Sequence, residues 1–203
     1  ATENYGIISK LAPEDHAPHR NKLRSCGKPA EGSEVKIVDN DGNTLPNGEV
    51  GEILLKSTWI LKSYWRNTVA TEEVKAGGWY HTGDAAYLDD EGFLFIKDRV
   101  KDMIITGGEN VFPAEVENAV HSHEDILDVA VIGIPDEQWG ESIKACVVLR
   151  SGAELSEEDI IAYARTQIAG FKAPKSIDFI PELPRNPSGK ILRRELRAPY
   201  WAN

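Results

Sequence analysis

Three short stretches carry the residues whose types and spacing could do chemistry, and each reads as a turn. Thr82-Gly83-Asp84 sets a carboxylate just ahead of a hairpin. A carboxylate there can accept hydrogen bonds from both hydroxyls of a ribose, as acidic residues do in other nucleotide sites. Gly-Asp is equally ordinary turn chemistry. Ser188-Gly189-Lys190 sets a flexible ammonium on a polar loop behind Pro181, Pro184 and Pro187, from which it can reach a buried phosphate. On the residues alone, the better reading of Lys190 is a solvated lysine in a basic tail with Arg185, Arg193, Arg194 and Arg197. Gly107-Gly108 offers a turn without side chains, along which a ligand could pass close to the backbone.

The elements that must position these turns are arranged around Lys97–Glu117. That stretch opens with five charges in six residues (Lys97, Asp98, Arg99, Lys101, Asp102), too polar for a core. An apolar run, Met103–Ile105, follows; then come the Gly107-Gly108 turn and a helix start with Pro113 at its first position and Glu115 and Glu117 near its positive end. The pattern leaves open whether this is a joint between two folded units or a surface loop within one.

Residues 4–24 read as irregular loop, and His16 and His19 lack the third ligand that a metal site would need. From Gly27 to Lys97 short strands alternate with turns: Val35–Val38, the Asp39–Asn43 turn, Gly51–Leu55, a helix over Val69–Lys75 stopping at Gly77-Gly78, and a hairpin of Ala85–Leu88 and Phe93–Ile96 about Asp89–Gly92. Beyond the joint the pattern predicts a strand at Met103–Ile105, a helix over Pro113–Ser122, strands at Asp128–Gly133 and Ile143–Leu149, and a turn at Ile134–Asp136 between them. Ser156 to Asp159 forms a capping box for a helix with Ile160, Ile161, Ala164 and Ile168 on its buried stripe, ended by Gly170. A strand over Ser176–Ile180 and a terminal helix near Ile191–Leu196 complete the chain. The fold class is α+β: a small β-barrel-like subdomain, then a two-layer α+β C-terminal domain of β-α-β-β-α-β order. The division expected is 1–100 for the end of an N-terminal domain, with the β subdomain from about residue 25, and 101–203 for the C-terminal domain.

With 203 residues, 41% of them hydrophobic and 28% charged, the chain can bury a real core in one or two domains. A formal charge of −10 argues against nonspecific binding to nucleic acid or an anionic membrane. No stretch is long and apolar enough to span a membrane. Cys26 and Cys146 are far apart in sequence, which reads as two reduced thiols and a cytoplasmic setting.

Gly-Trp-Tyr-His-Thr-Gly-Asp (78–84), Asp-Arg-x-Lys-Asp-x-Ile-x-x-Gly-Gly-Glu-Asn (98–110) and Pro-x-Ser-Gly-Lys-Ile-x-Arg-Arg-x-Leu (187–197) together resemble the adenylate-forming superfamily of acyl- and aryl-CoA ligases, peptide-synthetase adenylation domains and luciferases. The three signatures occur in the family's order and cover nearly the whole chain. The reaction this implies has two steps. A carboxylate oxygen attacks the α-phosphorus of ATP, giving an acyl-adenylate and pyrophosphate, and a thiol, commonly that of CoA, then displaces AMP. The first step gathers negative charge and needs cations and donors placed in advance.

The resemblance assigns residues to that scheme. Lys190 touches the reacting carboxylate and the ATP phosphates, Asp84 and Arg99 hold the ribose, Thr2 contacts phosphate and Glu3 holds Mg²⁺. On the residues alone Arg99 could equally form a surface ion pair with Asp98. Lys101 falls at the hinge position, about which residues from 102 onward would rotate as a mobile domain. That motion would bring Lys190 in for adenylation and Gly107-Gly108 in for thioester formation, with Glu109 near the thiol, although on the residues alone an exposed loop carboxylate is the better reading of Glu109. Trp139, Phe171 and Lys175 match positions that hold CoA in some relatives; core packing is an almost equal reading for Trp139 and Phe171. Ala173 departs from the pattern, standing where some relatives have arginine. In the family a Thr-Glu pair such as Thr2-Glu3 lies midway along a longer enzyme, so the chain, which starts without Met, is expected to be a C-terminal piece, cut by design or by proteolysis and inactive alone. The expected partners are a small carboxylic acid, ATP and CoA. A carrier-protein thiol as acceptor ranks lower because no carrier domain follows Asn203, a luciferase-like fragment ranks lower still, and a non-catalytic folded module is the remaining alternative.

Overall fold

A computed structural model describes residues 2–201. The chain divides into two compact units, Ala1–Lys101 and Asp102–Asn203.

The first unit begins with a two-residue strand, β1 (Ser9–Lys10), which pairs antiparallel with β2 (Lys28–Pro29). Two 3-10 turns lie between them, where the sequence shows no periodicity. The main sheet is antiparallel and runs in chain order: β3 (Ser33–Val38), β4 (Gly51–Ser57), β5 (Tyr80–Leu88) and β6 (Leu94–Arg99), with the short helix α1 (Thr68–Val74) between β4 and β5. Its edge strands β3 and β6 do not pair with each other, so this part is an open sheet rather than a closed barrel. Four strands have too little width to curl round and meet. The turns at Asp39 and Asp89 are each closed by an aspartate side chain, which accepts backbone N–H groups two and four residues on. Ile37, Ile53, Leu55, Tyr80, Ala86 and Leu94 share one core with Ile8 and Leu61.

The second unit comprises β7 (Ile104–Thr106), β8 (Glu109–Val111), α2 (Pro113–His121), β9 (Ile126–Asp136), β10 (Gly140–Leu149), α3 (Glu157–Gln167), β11 (Ser176–Phe179) and α4 (Arg193–Trp201). Strand β10 is the hub: β9 pairs with it antiparallel along its whole length, while β11 (parallel) and the tip of β7 also pair with it. Side chains alternate across the β9–β10 ladder. Val129, Val131, Ile143, Ala145 and Val147 join Val116 and Val120 of α2 and Ile160 and Ala164 of α3 in one core. Ala130, Ile132, Cys146 and Val148 point the other way, toward Leu183, Ile191, Leu196 and Tyr200. The C-terminal segment thus covers the second face of the sheet, which explains why β9 and β10 read as continuous apolar runs.

Several boundaries differ from the sequence reading. Residues 134–136 belong to β9, where Pro135 stands opposite Glu141 and is tolerated because β9 pairs only with β10. The turn falls instead on residues 137–139, where Asp136 Oδ1 accepts the N–H groups of Gln138 and Trp139. Helix α3 has the expected capping box but stops before Gly170, since Ile168 is already extended. Strand β8 has no apolar alternation to announce it. Helix α4 runs on through Pro199 because its last turn is anchored: Tyr200 Oη donates to Asp178 Oδ2 and Trp201 Nε1 donates to the Gly133 carbonyl at 3.0 Å.

Beneath α4 lies a buried charge. Lys144 is 7% exposed and its Nζ sits 2.6 Å from Asp178 Oδ1. Burial pushes the Asp178 carboxyl up, but the bonds from Lys144 and Tyr200 outweigh it and leave the carboxyl below the ordinary range. The Asp178 contribution to stability is therefore full above the unfolded-state pKa of about 4 and is lost as pH falls through the lower folded value. Asp178→Ala, which strands the ammonium, is expected to destabilise the second unit by about 2 kcal/mol or more at pH 7 and to flatten its acid-side stability profile. Replacing both charges together, Lys144→Met with Asp178→Leu, is expected to be neutral or stabilising. Urea unfolding between pH 3 and 7 measures both; an Asp178→Ala midpoint equal to wild type would contradict the assignment.

Candidate active site

In the first unit, residues of the first two signatures come together on the β4–β6 part of the sheet. Asp84 and Arg99 stand opposite each other in the β5–β6 register, with Arg99 Nε 3.0 Å from Asp84 Oδ1. The same guanidinium donates to the Thr82 carbonyl at 3.2 Å. Burial pushes the Asp84 carboxyl up, against the pull of Arg99. Arg99 thus pairs with Asp84, whereas Asp98 accepts the Arg99 backbone N–H.

The turn that carries Asp84 is built from β4. Glu52 takes the Gly83 N–H on one carboxylate oxygen (3.0 Å) and faces His81 Nδ1 with the other (3.0 Å). Thr82 Oγ1 donates to the Ile53 carbonyl and accepts the Asp84 N–H. Gly83 has a φ of +68°, which an L side chain rarely adopts. The sequence reading missed Glu52; its signal was a glutamate inside the strand Gly51–Leu55, where an apolar residue would otherwise be expected.

Glu3 lies in the same unit. Its Oε1 accepts from Tyr64 Oη at 3.0 Å, and its carboxyl is held below the ordinary range, first by a backbone hydrogen bond at Glu3 itself, against burial, and then by Tyr64. Burial first, and then the fields of Glu3, Tyr64 and Asp84, push the Tyr80 phenol up to about 12. Glu3, Tyr64, Tyr80, Asp84 and Arg99 are thus one electrostatic group. Thr2 is exposed beside it. Among the described residues no three His, Cys, Asp or Glu side chains converge as a metal cage. A lone carboxylate held ionised is what Mg²⁺ needs when phosphate oxygens supply most of its shell.

Lys101 is exposed in the short 3-10 turn Val100–Asp102, at the end of the first unit.

In the second unit the Gly107-Gly108 turn joins β7 to β8, and Glu109 is exposed at the first position of β8. The Gly107 N–H donates to the Trp139 carbonyl at 2.9 Å. A Cβ on Gly107 would lie 2.9 Å from the Trp139 ring, whereas one on Gly108 would meet open space. Glu141 Oε2 accepts the Ile105 N–H at 2.7 Å and pins the strand leading into the turn. Trp139 is 50% exposed and Phe171 46% exposed, so neither is core. Lys172 lies over the Phe171 ring while bonding both oxygens of Glu115. Lys175 is exposed, and its N–H donates to the carbonyl of Ile143 in β10, the strand that begins directly after Trp139. Ala173 is fully buried in the core beside α2 and α3, so an arginine cannot replace it without rearrangement.

Lys190 is exposed on a hairpin closed by the Arg185–Ile191 bridge. That hairpin is tied to Asp128, near the start of β9, through Arg185 Nη2 at 2.5 Å. The glycine turn is tied to Trp139 and Gly140, beyond the far end of β9. Asp128 and Asp136 are eight residue steps apart, roughly 26 Å of strand.

The chain matches a known class. Residues 1–65 match the AMP-binding enzyme family and residues 115–190 match the AMP-binding enzyme C-terminal domain. The chain belongs to these adenylate-forming enzymes. It is 44% identical over 202 residues to a fatty acid–[acyl-carrier-protein] ligase of Streptomyces coeruleorubidus, covering 100% of this chain and 39% of that protein. Against a long-chain-fatty-acid–CoA ligase of Mycobacterium tuberculosis it is 44% identical over 201 residues, covering 99% and 39%. The structure of o-succinylbenzoate CoA synthetase from Bacillus subtilis with its acyl-adenylate intermediate superposes with a TM-score of 0.87 at 39% identity, covering 96% of this chain and 39% of that one. The chain therefore spans about two fifths of the length of the curated relatives it matches.

The two glycines make unequal demands. Gly107→Ala combines a φ of +60° with a clash against Trp139, and Gly108→Ala has a φ of +84° but no neighbour. Both are expected to lose about 1 kcal/mol or more of stability from the backbone. Only Gly107→Ala is expected to move the Trp139 indole resonance in an NMR spectrum of the chain; an unshifted resonance there would contradict the stacked geometry.

Proposed function

We propose that the chain acts as part of a longer ATP-dependent carboxylic acid–CoA ligase, supplying groups to both half-reactions, and that it does not turn over alone. The observation that carries this reading is the spacing of two turns on one rigid sheet. The Lys190 hairpin and the glycine turn are anchored at opposite ends of the β9–β10 ladder, too far apart to serve one reacting centre together. One body with two such ends suits a two-step reaction in which the second unit, 102–203, turns between steps.

In the adenylation step, Asp84 accepts hydrogen bonds from the ribose hydroxyls of ATP. Arg99, already against Asp84, keeps that carboxylate charged and offers its remaining donors to the ribose or α-phosphate. Thr2 bonds phosphate, and Glu3 would hold Mg²⁺, which supplies charge neutralisation at the phosphates. Lys190 brings its ammonium to the reacting carboxylate and the α-phosphate, lowering the repulsion between two anions as the new bond forms. In the second step the thiol of CoA passes the Gly107-Gly108 backbone, with Glu109 beside its path. Trp139 and Phe171 offer half-exposed rings for the adenine, and Lys175 offers a charge for the phosphates. Lys101, exposed between the units, absorbs the rotation. The two free thiols fit a cytoplasmic enzyme. The identity of the acid, aliphatic or aromatic, is set outside these residues.

A second reading keeps the chemistry and changes the acceptor to a carrier-protein thiol. It is favoured by the relative that is named as an acyl-carrier-protein ligase. Offering the parent enzyme CoA and a phosphopantetheinylated carrier protein separately distinguishes the two.

In the parent enzyme, Lys190→Ala is expected to lower acid-dependent pyrophosphate release by roughly a hundredfold or more, while thioester formation from supplied acyl-adenylate survives. Lys101→Pro is expected to spare adenylation and block transfer to the thiol. Equal loss of both half-reactions in Lys190→Ala, or an unchanged overall rate in Lys101→Pro, would refute the proposal.

A further inference from the structure

We propose that Asn186 and Arg185 are positioning residues for Lys190, holding its turn in one closed form so that the ammonium is presented from a fixed backbone. The inference rests on the reading of Lys190 given above, and it concerns how the lysine is aimed rather than what it does.

Five residues, 186–190, make the turn, and most of their polar groups converge on two side chains. The Asn186 Oδ1 accepts three hydrogen bonds: from the Ser188 N–H (3.0 Å), the Ser188 hydroxyl (2.8 Å) and the Lys190 N–H itself (2.9 Å). The Asn186 backbone closes the same loop twice, donating to the Lys190 carbonyl at 2.9 Å and accepting the Gly189 N–H at 2.8 Å. Gly189 sits at φ +82°, which lets the chain reverse there. Arg185 holds the outside. One of its nitrogens donates to the Gly189 carbonyl at 2.7 Å and another bonds Asp128 Oδ2 at 2.5 Å, which fastens the turn to β9.

A lysine side chain is long and freely rotating, so a precise reach depends on where its Cα is held. Ser188, Gly189 and Lys190 are exposed and contribute nothing to either core of the second unit. Packing therefore cannot fix this turn, and hydrogen bonds must. The Asn186 carbonyl oxygen does for the Lys190 N–H what a helix cap does for a first-turn N–H. A turn closed in advance has less conformational freedom left to lose when the ammonium engages phosphate.

The test has two arms, one of which is independent of catalysis. In this chain, hydrogen exchange followed by NMR is expected to speed up roughly tenfold at the Ser188 and Lys190 N–H groups in Asn186→Ala, and to stay near wild type in Asn186→Asp, which keeps the acceptor. In the parent enzyme, Asn186→Ala and Arg185→Ala are expected to lower kcat for acid-dependent pyrophosphate release roughly tenfold to a hundredfold. Thioester formation from supplied acyl-adenylate should be unchanged, as should the unfolding midpoint, with recovery in Asn186→Asp. Wild-type exchange or wild-type adenylation in Asn186→Ala would overturn the inference while Lys190→Ala remained defective. Normal adenylation in Lys190→Ala would instead remove the underlying reading of the lysine, whatever the exchange rates showed.

Discussion

Burial of both faces of the β9–β10 ladder is the constraint on which the second unit depends. Side chains that alternate across two long antiparallel strands fill one core under α2 and α3 and another under the C-terminal segment. An antiparallel pair covered on both sides cannot slip in register without moving every apolar group to the wrong face. The glycine turn and the Lys190 hairpin inherit that rigidity. The glycine turn hangs from Trp139 and Gly140, and the lysine hairpin hangs from Asp128, so their separation is set by the length of a strand rather than by loops. Both turns keep exposed polar or bare backbone because their elements are anchored elsewhere.

The same division of labour holds in the first unit. Asp84 and Arg99 come together because β5 and β6 are neighbours in register, and Glu52 of β4 ties down the intervening glycine. Burial raises the Asp84 carboxyl while Arg99 opposes it. The Lys144–Asp178–Tyr200 network is a structural counterpart: it lies under α4, away from either turn, and orients the helix that follows the Lys190 hairpin.

Much of this was legible in the sequence, for identifiable reasons. Alternation and turns rich in Asp and Gly marked β3 to β6, and Ser156 with Asp159 marked the start of α3, because those signals act locally. The turn after β9 was misplaced because Pro135 is a breaker only where an N–H is needed, and an edge strand does not need it. Strand β8 was missed because its pairing with β7, not its own pattern, makes it a strand. The end of α4 was missed because Tyr200 and Trp201 anchor it through contacts distant in sequence. Among candidate site residues, those inside motifs could be named at once, and Trp139 and Phe171 needed the structure to show that they are surface. Glu52, Glu141 and Asn186 act by holding backbone N–H groups, and nothing in residue type alone distinguishes such a carboxylate or amide from a solvated one.

The central claim is that one rigid unit presents two ends in turn to one nucleotide. The most direct measurement is the distance between spin labels placed on exposed positions of the first and second units of the parent enzyme. The account predicts one distance distribution with ATP and a non-reactive acid analogue, and a clearly different one with a stable acyl-adenylate mimic and CoA. A single distribution, unchanged across both conditions in an enzyme that turns over normally, would contradict it.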